Sequence, residues 1–140
     1  MPQSWSRDFH IEIGASAEVI WAIFRDVPTW KEWNAGIEQI DLEGPFADGA
    51  WFTMKPPGQD ALRSRLIEVR ENESFVDETR VEDLTVLVAH RIESLGPRRS
   101  RVTYSVEATG AGASEIGPMV SSDFPDVLSS LAARAEARQS

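Results

Sequence analysis

The sequence predicts an α+β fold, a curved antiparallel sheet wrapped around a long C-terminal helix, and three observations predict it. Ile116, Met119, Val120, Phe124, Val127, Leu128, Leu131, Ala132 and Ala135 recur at the three- and four-residue spacing of one helical face, a stripe that needs an apolar surface to cover it. Ahead of it run short alternating segments divided by turn residues, the pattern of strands with one wet face. Between the first segment and the others lie two brief helical patterns. A long helix laid over the concave side of a curved sheet encloses apolar space, and small molecules bind in such space.

Taken in order, Trp5, Arg7, Phe9, Ile11 and Ile13 alternate with Ser6, Asp8, His10 and Glu12 and make the first strand. Gly14-Ala15-Ser16 ends it, with Ser16 placed to cap a helix that carries Ala17, Ile20, Trp21 and Phe24 on one face to about Asp26. Val27-Pro28 breaks that helix, and Pro28 can open a second short turn, Thr29 to Trp33, ended by Asn34-Ala35-Gly36. Six strands follow as a meander: Ile37–Glu43, Ala50–Lys55, Leu62–Arg70, Phe75–Arg80, Leu84–Ser94 and Arg101–Ala108. Connections of a few residues make neighbours antiparallel and mostly sequential. The last helix begins after Gly112, with Pro118 expected in its first turn; Pro125 predicts a kink or two abutting helices, and the unbroken phase of the stripe favours the kink.

A chain of 140 residues fits one domain spanning 1–140, large enough to bury roughly two thirds of its unfolded surface. Its formal charge of -9, from 23 acidic and 14 basic residues, argues against nucleic acid or an anionic membrane surface as partner. Arg98, Arg99 and Arg101, following Gly96-Pro97, read as a solvated hairpin turn. With no cysteine, disulfides, thiolate metal sites and cysteine nucleophiles are excluded. No apolar run approaches the ~20 residues of a membrane span, and Met1-Pro2-Gln3-Ser4 lacks the organisation of a secretion signal, so a soluble, cytoplasmic protein is expected.

Particular stretches carry a resemblance. Ile13-Gly14-Ala15-Ser16-Ala17-Glu18-Val19-Ile20-Trp21, Val27-Pro28-Thr29-Trp30-Lys31-Glu32-Trp33-Asn34, Lys55-Pro56-Pro57-Gly58, His90-Arg91-Ile92-Glu93 and Phe124-Pro125-Asp126-Val127-Leu128-Ser129-Ser130-Leu131 stand in this order across nearly the whole chain. In these the sequence resembles the polyketide cyclase/dehydrase branch of the START, or SRPBCC, superfamily, which also includes birch-pollen-type allergens. The resemblance implies a helix-grip fold whose hydrophobic cavity lies between sheet and C-terminal helix and opens near the short helices. It implies binding of lipids, sterols, hormones or polyketides, with cyclisation or dehydration in some members, and it transfers no catalytic motif.

Strand parity nominates the residues that face the cavity. Val102, Tyr104, Val106 and Ala108 share one face, as do Val86, Val88, His90 and Ile92. His90 is the first candidate for a polar anchor, with an ordinary pKa near neutrality suited to proton transfer, and Tyr104 can donate a hydroxyl beside it. The plainer alternative makes His90 a core histidine satisfied by Tyr104 or a backbone carbonyl. Trp30 and Trp33 lie three apart at the expected mouth, where they either stack on a flat ligand or cap the core; Phe52, Met54, Phe75, Met119, Val120 and Phe124 complete the expected wall. Arg65 shares parity with Ile67 and Val69 and is a possible buried cation for a ligand carboxylate, while Leu62 and Leu66 claim the opposite face. Asp77, Glu78, Glu82 and Asp83 read as solvated, and His10, facing out, forms no metal-binding cluster with His90.

Three functions follow as expectations: binding of a small hydrophobic molecule, cyclase or dehydratase chemistry with His90 and Tyr104 as the acid/base pair, or a groove that holds a protein segment. The first two need no cofactor or metal. Either a monomer or a homodimer is compatible with the sequence.

Overall fold

The computed structural model describes residues 3–139. Its elements are β1 (Ser4–Ile13), α1 (Ala17–Arg25), a 3-10 turn (Val27–Thr29), α2 (Trp30–Trp33), β2 (Gln39–Glu43), β3 (Trp51–Lys55), β4 (Leu62–Arg70), β5 (Ser74–Val81), β6 (Leu84–Gly96), β7 (Arg99–Thr109), α3 (Ala113–Ser121) and α4 (Phe124–Gln139). Short turns join β2 through β7 into a meander, and β1 closes against β7, giving the order β1-β7-β6-β5-β4-β3-β2 with every pairing antiparallel. With the C-terminal helical segment held in its curve, the sheet makes a helix-grip fold. No helix among the described residues is long and apolar enough to cross a membrane.

Local chemistry sets the helix ends. Ser16 Oγ accepts from Val19 N at 3.2 Å and caps α1, whose Ile20, Trp21, Ile23 and Phe24 are buried. At the far end of the chain, Val127, Leu128, Leu131, Ala132 and Ala135 of α4 are buried in the main core beside Ile13, Phe24 and Val102. The same helix is tied down by polar contacts: Gly14 N donates to Glu136 Oε2 at 2.9 Å, Ser16 N to Gln139 Oε1 at 2.7 Å, and Arg134 pairs with Glu32 of α2 at 2.9 Å.

Three expectations are corrected here. The C-terminal stripe does not run through one kinked helix; it divides at Ser122-Asp123 into α3 and α4, and Pro125 falls second in α4, where its missing N–H has no intrahelical partner to lose. Pro118, expected in a first turn, lies inside α3. The buried face of α3 is also its small one: Ala113, Gly117 and Ser121 pack inward, while Met119 is 61% exposed and Val120 38%. The indole of Trp5 decides this, because a Cβ on Gly117 would stand 2.1 Å from Trp5 Cε3, so only glycine lets helix and ring meet.

Parity along β4 changes at a bulge between Leu66 and Glu68, which explains its two competing apolar faces. Ser64 and Leu66 are buried, and Arg65 points the other way, its guanidinium 5.7 Å from the Trp51 ring. It is therefore not the cation of the cavity.

Candidate ligand pocket

The concave face of β3–β6 is not filled by α4, which fastens instead to β1, α1 and α2. What remains is a pocket of about 510 Å³ between that face and a rim made by α2, the loop after it, and the α3–α4 break. Trp30, Trp33, Phe52, Met54, Phe75, His90, Tyr104, Met119, Val120 and Phe124, all nominated by parity and spacing, lie on its wall. Met119 and Val120 reach it from the rim rather than from the core.

An aromatic series lines the inner end. Trp30 stacks near-parallel on Phe75, centroids 5.5 Å apart; Phe75 stacks on His90 at 3.9 Å; Tyr104 meets His90 edge-on at 4.5 Å and Phe124 edge-on at 5.5 Å. Register brings them together, since Phe75 pairs with His90 and His90 with Tyr104 across three adjacent strands. Trp30 and Trp33 are both buried, and Trp30 Nε1 donates to the Phe24 carbonyl at 2.8 Å, so Trp30 also caps the core. The Trp33 indole N–H is buried without a hydrogen-bond partner among the described residues.

His90 is satisfied by a carbonyl. Its Nδ1 lies 3.2 Å from Phe75 O, an atom that can only accept, so Nδ1 carries the proton and Nε2 keeps its lone pair. Burial lowers its pKa to about 3, outweighing the hydrogen bonds to the Phe75 and Val88 backbone that favour the charged ring. The expectation of a histidine titrating near neutrality is thus overturned. His90 does face the pocket, as parity required, but its hydrogen bond goes to Phe75 rather than Tyr104.

Asp77 is the residue the sequence reading misplaced. Phe75, Asp77, Thr79 and Val81 line the pocket together, so the parity that put Phe75 on the wall also puts Asp77 there. The signal was present and was masked by the acidic neighbours Glu78, Glu82 and Asp83. With its side chain only 16% exposed, burial raises the Asp77 pKa to about 7. Its Oδ2 lies 3.9 Å from His90 Nε2, beyond a direct hydrogen bond. Burial and the Asp77 charge both push the Tyr104 phenol upward, keeping it protonated. At neutral pH the pocket therefore holds a neutral imidazole with a free lone pair, a phenol and a carboxyl group poised between its two states.

The rest of the polar lining is quiet. Ser64 Oγ and Thr79 Oγ1 satisfy each other at 2.6 Å. Asp123, at the α3–α4 break, has its pKa raised first by burial and then by the nearby Asp126. No group of three His, Cys, Asp or Glu side chains able to hold a metal occurs among the described residues.

Comparison with known proteins gives the sequence a family profile and the fold its neighbours. The profile described as polyketide cyclase / dehydrase and lipid transport matches residues 5–136. No curated protein sequence is significantly similar. Among solved structures, the Zhui aromatase/cyclase from Streptomyces sp. R1128 superposes with a TM-score of 0.81 at 12% identity over 97% of this chain and 96% of its own. A norcoclaurine synthase point mutant from Thalictrum flavum, bound to a transition-state analogue, gives 0.81 at 12% identity over 100% and 99%. A START superfamily protein from Mycobacterium smegmatis gives 0.70 at 21% identity over 96% of both chains. At these identities the likeness is one of fold.

Proposed function

This chain belongs to the polyketide cyclase / dehydrase and lipid transport family, and from that premise we propose that it binds a small, largely apolar molecule with an aromatic or cyclic body in the pocket described above. One observation carries the reading: aromatic and aliphatic side chains from eight elements and two loops converge on about 510 Å³ of open space instead of filling it. A filled interior is the default for protein cores, so space retained under an aromatic lining argues for an occupant. A groove for a protein segment is disfavoured, because it calls for exposed tryptophans over a collapsed interior, and Trp30 and Trp33 are each 7% exposed.

Native mass spectrometry of freshly purified protein, with displacement of the neutral fluorophore N-phenyl-1-naphthylamine, tests the reading. The expected result is a co-purifying compound or saturable fluorophore binding that Val88→Phe, which fills the pocket from β6, abolishes while the far-UV spectrum is unchanged. Equal binding by wild type and variant overturns it.

A second reading, enzymatic, draws support from the cluster of Asp77, His90 and Tyr104. Here the acid/base role moves from His90 to Asp77, because a carboxyl group near pKa 7 exchanges protons at neutral pH far better than an imidazole near 3. Tyr104 supplies a hydroxyl to a substrate carbonyl, and His90 supplies an acceptor. Exchange of the α-protons of 1-(2-naphthyl)butane-1,3-dione in D2O, followed by NMR, is the measurement. Acceleration by wild type that is lost in Asp77→Asn and reduced in Tyr104→Phe is expected; exchange no faster than in buffer rejects this reading.

A further inference from the structure

The charge of the pocket wall is one-sided. Among the described residues its titratable groups are Asp77 on β5, His90 on β6, Tyr104 on β7 and Asp123 at the α3–α4 break, and no lysine or arginine contributes to the lining. Arg65, the cation that strand parity offered, belongs to the outer face against Trp51. A carboxylate-bearing or phosphate-bearing ligand would be desolvated here beside two acids with no cation to meet it, which is strongly unfavourable.

Asp77 has no partner of its own. No hydrogen bond within the described residues reaches its carboxyl group; His90 Nε2 stands 3.9 Å from it, and that ring is held neutral by its burial. Phe75, His90 and Tyr104 share the pocket wall with it, and Trp30 stacks on Phe75. A lone, mostly buried carboxyl group at the aromatic end of an apolar pocket is the setting in which an organic ammonium group is bound, paired with the carboxylate and held against ring faces.

Resting on the reading of this space as a ligand pocket, we propose that its ligand is an amine: an aromatic or cyclic body carrying one protonated nitrogen, which pairs with Asp77. The excess of negative charge on the whole protein, -9, favours encounter with such a cation and disfavours an anion. Trp33, with a buried indole N–H that has no hydrogen-bond partner among the described residues, leaves a donor on the same wall for an acceptor elsewhere on the ligand. Because an ammonium ion favours the ionised carboxyl, amine binding strengthens as Asp77 ionises and displaces a proton from it below about pH 7.

Three probes of one shape, 2-(2-naphthyl)ethylamine, 2-(2-naphthyl)ethanol and 2-naphthylacetate, test this by calorimetric titration at pH 6 and pH 8. The amine is expected to bind wild type at least tenfold tighter than the alcohol at pH 8, with the acetate weakest. At pH 6 the preference narrows and protons are released on binding, read from the dependence on buffer ionisation heat. Asp77→Asn should lose the amine preference and keep the alcohol. An alcohol or acetate that binds wild type as tightly as the amine overturns the amine assignment and leaves the pocket reading standing, a ranking that needs no variant. An amine preference that survives Asp77→Asn overturns the role of Asp77. Binding of none of the three, with no co-purifying compound, overturns the pocket reading and this inference with it.

Discussion

His90 Nε2 and Asp77 Oδ2 lie 3.9 Å apart, and burial drives their pKa values in opposite directions, to about 3 and about 7. Each group is thereby held in its neutral form at mildly acidic pH, which makes the pair a source of opposed pH dependence in stability.

For Asp77 the folded value is above the ordinary 3.8, so its contribution to stability is fully present below that value and is lost as pH rises through 7. For His90 the folded value is below the ordinary 6.5, so its contribution is present above 6.5 and is lost as pH falls through 3. Between pH 4 and 6.5 the two slopes oppose one another. Melting temperatures across pH 3–8 should therefore change little over that window in wild type. In Asp77→Asn they should climb with pH to about 6.5 and level off; in His90→Gln they should fall from pH 4 to 7. At pH 8 the asparagine variant should be the more stable protein by on the order of 1–3 kcal/mol, since it removes a charge buried without a partner. Superimposable profiles for the three proteins would show that the two groups are solvated.

Leu128 and Leu131, on the buried face of α4, carry the attachment of the helix to the sheet. Both are almost wholly inaccessible and belong to the main core with Ile13, Phe24 and Val102. Truncating either to Ala should destabilise by about 2–5 kcal/mol, from lost apolar contact plus the cavity left behind. Urea unfolding gives the figure, and a loss under 1 kcal/mol for both would mean that α4 does not grip.

Period-two and helical patterns were readable wherever one face is uniformly wet, so all seven strands and α1 lie within a few residues of where alternation placed them. Failures have local physical causes. On β4 the bulge after Leu66 reverses parity midway, so no single face of the segment could be read as inward. Across Ser122-Asp123 the apolar phase continues although the helix does not, because Ile116 to Val120 meet the pocket and Val127 onward the core. Asp77 was hidden by composition: an acid among acids reads as solvated, although its parity with Phe75 along β5 turns it to the pocket. His90 could be placed by parity, but a pKa depends on desolvation, which the sequence does not contain.

The two faces of α3 should respond oppositely to substitution. Met119, part of the apolar stripe, is exposed, whereas Gly117 packs inward against Trp5. Gly117→Ala gains helix propensity worth up to about 1 kcal/mol. It also drives a methyl group to 2.1 Å from Trp5 Cε3, forcing ring or helix to move. Overpacking of this kind outweighs the propensity gain, so a net loss on the order of 1–3 kcal/mol is expected in thermal or chemical unfolding. Met119→Ser, at a residue 61% exposed, should stay within about 0.5 kcal/mol of wild type. That same serine variant removes apolar surface from the pocket rim and should weaken N-phenyl-1-naphthylamine binding several-fold, separating a wall residue from a structural one. A stable Gly117→Ala together with an unstable Met119→Ser would place the opposite face of α3 against the sheet.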